Sequence, residues 1–167
     1  MNVLIKELSH LAENAVSALK QKNLTVATAE SCTGGILSAL ITSISGASSV
    51  FGLGMCSYSA DVKINNLGVN AETVERYGTV SEFTAKEMAE CIRKLANADI
   101  GLSVTGVAGP NPTENKPVGL VYIAVAAKNG TTVKELNIEN NGRDFIRSTA
   151  AIEVFNLLIN YLKLEEN

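Results

Sequence analysis

Apolar residues recur at helical spacing from the start of the chain: Leu4, Leu8, Leu11, Ala15 and Leu19, with Lys6, Glu13 and Lys20 off the stripe. That period predicts an amphipathic helix over residues 3–21, whose apolar face must be covered by another layer. Thr25 to Glu30 reads as a short buried strand. After the turn Ser31 to Gly35, the apolar Ile36, Leu37, Leu40, Ile41 and Ile44 restore a helical period, giving strand, turn, helix. From Phe51 to Tyr58 the pattern alternates, with Phe51, Leu53 and Met55 on one face and Gly52, Gly54, Cys56 and Tyr58 on the other.

Capping residues punctuate the middle of the chain. Ser59 or Asp61 can start a short helix that carries Lys63, Ile64 and Leu67 and ends at Gly68. Ser81 is placed to cap a helix with Ala85, Met88, Ile92 and Leu95 along one stripe. A strand from Ile100 to Thr105 follows, with the small residues Gly101, Ser103 and Thr105 at alternate positions. Residues 106–118 hold all three prolines and no period. The β-branched runs 119–127 and 132–138, separated by Lys128, Asn129 and Gly130, read as a hairpin. Arg143 to Leu162 closes the pattern as a helix with Ile146, Ala150, Val154, Leu157 and Tyr161 inward. Helices alternating with strands early and a hairpin late predict an α/β fold, a three-layer α/β/α sandwich with a mixed sheet. No repeat, linker or composition break divides it, so residues 1–167 read as one domain.

Composition narrows the function classes. The chain has 46% hydrophobic and 19% charged residues, a globular balance, and 167 residues suffice for a core without disulfide or metal staples. Its net charge of −3 comes from interspersed signs, and no basic run with interleaved aromatics offers a nucleic-acid footprint. Cys32, Cys56 and Cys91 are odd in number and widely spaced, with the single His10 far from them, so neither a disulfide framework nor a zinc cluster is indicated. The start of the chain lacks the order of a signal peptide, and every apolar run breaks before membrane length. A soluble protein of the reducing cytoplasm is expected, with no metal, no cofactor and no membrane partner.

Candidate chemistry gathers at the strand-to-helix turns, where open α/β sheets collect ligands. Ala29-Glu30-Ser31-Cys32-Thr33-Gly34-Gly35 sets two hydroxyls, a thiol and two glycines where free amides can meet phosphate or an oxyanion. The same residues could simply cap and pack the following helix. The segment is neither a Walker loop nor a nucleophile elbow. A serine nucleophile needs a base, and His10 sits on a scaffold helix. Lysine can serve where burial and a helix N-terminus disfavour its charged form, and Lys63 fits, although a solvated lysine is the plainer reading. Tyr58 could reach across toward Lys63 as a proton relay or pack in the core. Thr105-Gly106-Val107-Ala108-Gly109-Pro110 follows a strand as a second turn open to close ligand approach, or as a plain turn. Cys32 ranks below Ser31 as a nucleophile because it lacks a histidine partner.

Ala-Glu-Ser-Cys-Thr-Gly-Gly at 29–35 together with Thr-Gly-Val-Ala-Gly-Pro at 105–110 resembles the CinA C-terminal domain family, which includes stand-alone PncC-type nicotinamide mononucleotide deamidases. Tyr58-Ser59 with Lys63, Leu67-Gly68-Val69, Val80-Ser81, Lys116-Pro117-Val118-Gly119 and Arg143 with Arg147 extend the likeness over roughly residues 4–162. The resemblance implies Ser31 as nucleophile, Lys63 as base and Tyr58 assisting. It implies hydrolysis of the nicotinamide carboxamide to nicotinic acid mononucleotide and ammonia, in NAD salvage. Glu30, Cys32, Thr33, Gly34, Gly35, Thr105, Gly106, Ala108, Gly109 and Arg143 are the implied substrate contacts, and a homo-oligomer the implied assembly. Two departures stand out. Asn111-Pro112-Thr113 replaces further glycines after Ala-Gly-Pro, and Ala60 replaces an asparagine common after the Tyr-Ser pair. A catalytically silent nucleotide-binding relative is the alternative. With one helix before the Glu-Ser motif, the chain reads as the form without the N-terminal CinA domain.

Overall fold

The computed structural model describes residues 2–164, with side chains from residue 6 onward. Five strands, β1 (Val26–Glu30), β2 (Phe51–Cys56), β3 (Ile100–Gly106), β4 (Leu120–Ala127) and β5 (Gly130–Asn137), form a sheet in the order β2-β1-β3-β4-β5. β1 is parallel to β2 and β3, whereas β3 and β4, and β4 and β5, are antiparallel. The mixed sheet and late hairpin therefore follow the sequence pattern. Helices α1 (Asn2–Lys22), α2 (Ile36–Thr42) and α6 (Arg143–Leu164) cover one face, where Leu19, Leu37, Ile41, Phe155 and Leu158 meet Leu102, Ile123 and Val125. Of the α1 stripe, Leu8, Ala15 and Leu19 are buried, and the side chain of Leu4 lies outside the described residues.

The other face carries α3 (Ala60–Val62), a π-helical turn that continues it over Lys63–Leu67, α4 (Ala71–Tyr77) and α5 (Glu82–Leu95). Met88, Ile92 and Leu67 pack there on Ala27 and Ala29 of β1, and Ala85 and Ala89 on Ala124 and Ala126 of β4. Ser59 and Ser81 cap as their positions predict, accepting from the amides of Val62 and Thr84 at 3.2 and 3.1 Å. Leu95 does not join the α5 stripe and is 53% exposed. The buried face runs through Ala85, Met88, Ala89 and Ile92 toward Ala96, which leaves Leu95 on its flank. The helix α4 has no apolar period to announce it: Asn70 caps it, and Thr73 and Val74 turn inward.

The small residues of β3 have a packing cause. A Cβ at Gly101 would collide with the Ala89 carbonyl of α5. Ser103 donates to the Ala85 carbonyl at 2.6 Å, and Thr105 to the Thr79 carbonyl at 2.7 Å. Close approach of α5 and of the segment leading into it uses that face. The carboxyl ends of the parallel strands β2, β1 and β3 meanwhile open along one edge of the sheet, the position where α/β folds hold their ligands. Segments 57–58, 31–35 and 106–110 all leave from it.

Candidate active site

Ser31 leaves β1 in a fixed direction, because its amide still bonds the Val104 carbonyl of β3 at 3.0 Å. Its own carbonyl accepts from Gly34 at 3.0 Å, closing a turn that Gly34 and Gly35 complete with φ of 63° and 101°. Such left-handed backbone is costly for any residue with a Cβ. Into this turn comes Lys63 from the start of the π-helical turn, fully buried, its Nζ 3.0 Å from Ser31 Oγ. The other two partners of that amine are main-chain carbonyls, Ser57 at 2.6 Å and Tyr58 at 3.3 Å.

This arrangement suits a neutral amine. Two N–H bonds point at two carbonyls, and the remaining position can accept the Ser31 proton. None of the three partners is a carboxylate, so no full negative charge holds the ammonium form in direct contact. Burial draws the Lys63 pKa down from 10.5 to about 8, against the opposing pull of Cys32 and Glu114. About a tenth of the molecules then carry the free base at pH 7. Cys32 is buried beside it, and burial pushes its thiol up to about 11, despite Lys63, Arg143 and Arg147 nearby. At neutral pH it is a thiol, and the side chain that the Lys63 amine contacts is the Ser31 hydroxyl. Two buried hydroxyls next to the dyad, Thr33 Oγ1 and Ser57 Oγ, have no protein partner.

A cleft of about 300 Å³ opens over Ser31 and Cys32. Gly106, Ala108 and Gly109 line one wall with Val107, while Thr79 and Val80 form another. Tyr58 and Arg143 stand at its rim, and Asn111 and Thr113 of the proline-bearing loop close the far side. Among the described residues no backbone carbonyl accepts from the amides of Cys32, Thr33, Ala108 or Gly109. The loop is held in place by Glu114, whose carboxylate accepts from the Thr79 amide at 3.1 Å and hydroxyl at 2.5 Å and pairs with Lys116 at 3.2 Å. Burial raises the Glu114 carboxyl, but hydrogen bonds from Thr79, Lys116 and Val80 outweigh it and leave it below the usual range. Asn111 and Thr113 stood out in the sequence only as a departure from the family's glycines, and Thr79 and Glu114 were not marked. The one signal for those two was the likeness at Val80-Ser81 and the absence of a period in residues 106–118.

Several expected contacts fall elsewhere. Glu30 is fully buried and faces α2, not the cleft. It accepts from the amides of Gly35, Leu37 and Ser38 at 3.0, 3.1 and 2.9 Å and from the Ser38 hydroxyl at 2.8 Å. A strand-end carboxylate thus occupies one amide that was expected to meet a phosphate, that of Gly35, and the Gly34 amide goes to the Ser31 carbonyl. Thr33, Gly34, Gly35 and Thr105 do not line the cleft either. The strand β2 ends at Cys56, so Tyr58 is not on its small face; it is 62% exposed. Its contact with Lys63 runs through the carbonyl, whereas its hydroxyl accepts from Arg143 at 3.1 Å. Arg143 also donates to the Gly109 carbonyl at 2.7 Å, so both of its acceptors are neutral and its positive charge stays at the rim.

Among the described residues no group of three His, Cys, Asp or Glu side chains is placed to hold a metal, and no helix is long and apolar enough to cross a membrane.

Comparison with known proteins places this geometry in context. A competence-damage inducible protein of Acetivibrio thermocellus is 51% identical over 149 residues, covering 89% of this chain and 36% of its own length. That of Thermoanaerobacter pseudethanolicus is 53% identical over 152 residues, covering 90% of this chain and 37% of its own. The chain thus spans little more than a third of these relatives. Among solved structures, the competence/damage inducible protein CihA from Agrobacterium tumefaciens superposes with a TM-score of 0.89 at 36% identity, over 94% of this chain and 96% of that one. The sequence profile of the CinA C-terminal domain matches residues 8–162, so the chain that carries this serine–lysine cleft belongs to the CinA C-terminal domain family.

Proposed function

We propose that this chain is a nicotinamide mononucleotide amidohydrolase that works through Ser31 and Lys63. The observation that carries the reading is the buried Lys63 amine 3.0 Å from Ser31 Oγ, with carbonyls as its other partners. Neutral Lys63 takes the Ser31 proton as Oγ bonds to the carboxamide carbon. The oxyanion that forms needs donors, and the amides of Cys32, Ala108 and Gly109, residues that line the cleft and whose amides serve no backbone carbonyl, are the candidates. As the C–N bond breaks, the Lys63 ammonium returns its proton to the leaving nitrogen and ammonia departs. Water then attacks the ester, Lys63 accepts its proton, and the Ser31–carbon bond breaks to give nicotinic acid mononucleotide and the free hydroxyl. Arg143 at the rim supplies a cation for the substrate phosphate, with Tyr58 holding the guanidinium in place.

The test is ammonia release from nicotinamide mononucleotide by the purified protein with chelator present, beside Ser31→Ala and Lys63→Ala. Release abolished by both substitutions is the expected result. A wild type that binds the mononucleotide and releases no ammonia would instead mark a silent nucleotide-binding relative.

A further inference from the structure

The turn that carries Ser31 is held from a distance. Arg147 of α6 donates from Nε to the Cys32 carbonyl at 3.1 Å, 115 residues away in sequence, and from Nη2 to the Thr33 carbonyl at 2.8 Å. Its one carboxylate partner among the described residues, Asp144 at 3.4 Å, is 89% exposed and so contributes little. The fork of the guanidinium is therefore directed at two consecutive peptide carbonyls. A peptide unit is planar and trans, so fixing a carbonyl fixes the opposed N–H of the next residue. Holding the Cys32 carbonyl sets the Thr33 amide. Holding the Thr33 carbonyl sets the Gly34 amide, which bonds the Ser31 carbonyl and thereby orients the Cys32 amide. In residues 31–35 neither a backbone carbonyl nor Glu30 takes up the Cys32 and Thr33 amides, and of these two residues Cys32 lines the cleft. A cation on those carbonyls also strengthens their N–H groups as donors.

We propose that Arg147 is a positioning residue of this site: through the Thr33 carbonyl, and the Gly34–Ser31 hydrogen bond coupled to it, it aims the Cys32 amide, in the part of the turn that lines the cleft, at the negative charge developing on a carbonyl attacked by Ser31. Arg147 does not line the cleft. Its partner one turn earlier, Arg143, ties the Gly109 carbonyl to Tyr58, so α6 clamps the segments that follow all three parallel strands. The role rests on the reading of Ser31 as nucleophile, though not on the identity of the amide substrate.

Two readouts separate these. One is covalent labelling of Ser31 by phenylmethanesulfonyl fluoride, followed by intact mass: the Oγ–S bond forms, fluoride leaves, and the serine proton passes to Lys63. The other is ammonia release from nicotinamide mononucleotide. In Arg147→Ala, labelling slows and kcat falls about 10- to 100-fold, as expected for misaimed oxyanion donors. KM stays within about twofold and the midpoint of the pH profile stays at the wild-type value, because neither cleft nor Lys63 contacts change. Guanidinium ion at millimolar concentration restores part of the lost rate. Arg147→Lys, which keeps one cationic donor, falls between, and it carries the test if Arg147→Ala does not fold. Wild-type rates in a folded Arg147→Lys or Arg147→Ala, or a loss that guanidinium leaves unaltered, would overturn the proposal. Ser31 labelling that depends on Arg147 in a protein that releases no ammonia supports the positioning role and overturns the substrate. A wild type inert in both overturns both.

Discussion

The two glycine-rich turns at the carboxyl edge of the sheet look alike in sequence and are built to opposite ends. In the turn after β1, the main-chain groups are largely engaged: Glu30 takes the amides of Gly35, Leu37 and Ser38, and Arg147 takes two carbonyls. Only Ser31 and Cys32 of that turn reach the cleft. The turn after β3 presents Gly106 to Gly109 to the cleft wall, and its outer loop is anchored at one end by Glu114. The first turn is braced around Ser31, and the second lines the cleft with its main chain. The lesson is that a glycine-rich turn marks a site without saying which of its groups remain available, since that depends on partners supplied from elsewhere.

That contrast can be broken most sharply at the dyad. Ser31→Ala or Lys63→Ala is expected to lower ammonia release about a thousandfold or more, whereas Ala108→Ser, on the opposite wall, changes chiefly KM. A kcat loss of the dyad's size in Ala108→Ser would erase the division between the two turns.

Glu30→Ala leaves three amides and a hydroxyl without their buried partner and is expected to cost about 3 kcal/mol or more of stability, read from the urea unfolding midpoint. Glu30→Gln keeps part of the network and costs less. Weaker mononucleotide binding by a fully stable Glu30→Gln would instead make the carboxylate a ligand.

The pH dependence sharpens the same point. With the free amine as base, log kcat/KM rises by about one per pH unit below about 8 and levels above it. Stability moves in the same direction. Lys63 has a pKa of 10.5 unfolded and about 8 folded, so between these values the unfolded chain holds more protons and stability rises with pH. The full penalty, about 3 kcal/mol, applies below about 8 and is gone above about 10.5. Cys32, raised from 9.0 to about 11, slopes the other way over its own window. The comparison is therefore wild type against Lys63→Met, in which Cys32 is retained: the stability difference should shift in favour of wild type from pH 8 to 10.5, and a flat difference would refute a depressed Lys63.

The smallest effect is expected at the second turn. Glu114→Ala frees the loop from Thr79 and should raise KM about threefold to tenfold, equivalent to about 1 kcal/mol, with kcat nearly unchanged. An equal fall in kcat would show that the loop also orients the reacting atoms.

Much of the fold was legible because its signals are local. The apolar stripes of α1, α2 and α6, the caps at Ser59 and Ser81 and the β4–β5 hairpin all arise from contacts within a few residues. The α4 helix was missed for the same reason, as it buries too little to set a period. Ser31 and Lys63 were legible as unusual residue types in unusual places: a serine between strand and helix, and a lysine in a first turn where the dipole opposes it. The sequence alone thus determined most of the elements and the mixed α/β class, and it marked Ser31 and Lys63 as candidates.

Only the tertiary structure decided what each remaining group does. Ser31 and Lys63 are 32 residues apart, Tyr58 and Arg143 are 85 apart, and Thr33 and Arg147 are 114 apart. Those meetings exist because β2, β1 and β3 are neighbours and α6 crosses behind their carboxyl ends. Spacing along the chain carries the period of a helix or strand. It carries no record of the sheet order that withdraws Glu30 toward α2, turns the Tyr58 hydroxyl to Arg143, and fills the small face of β3 with α5.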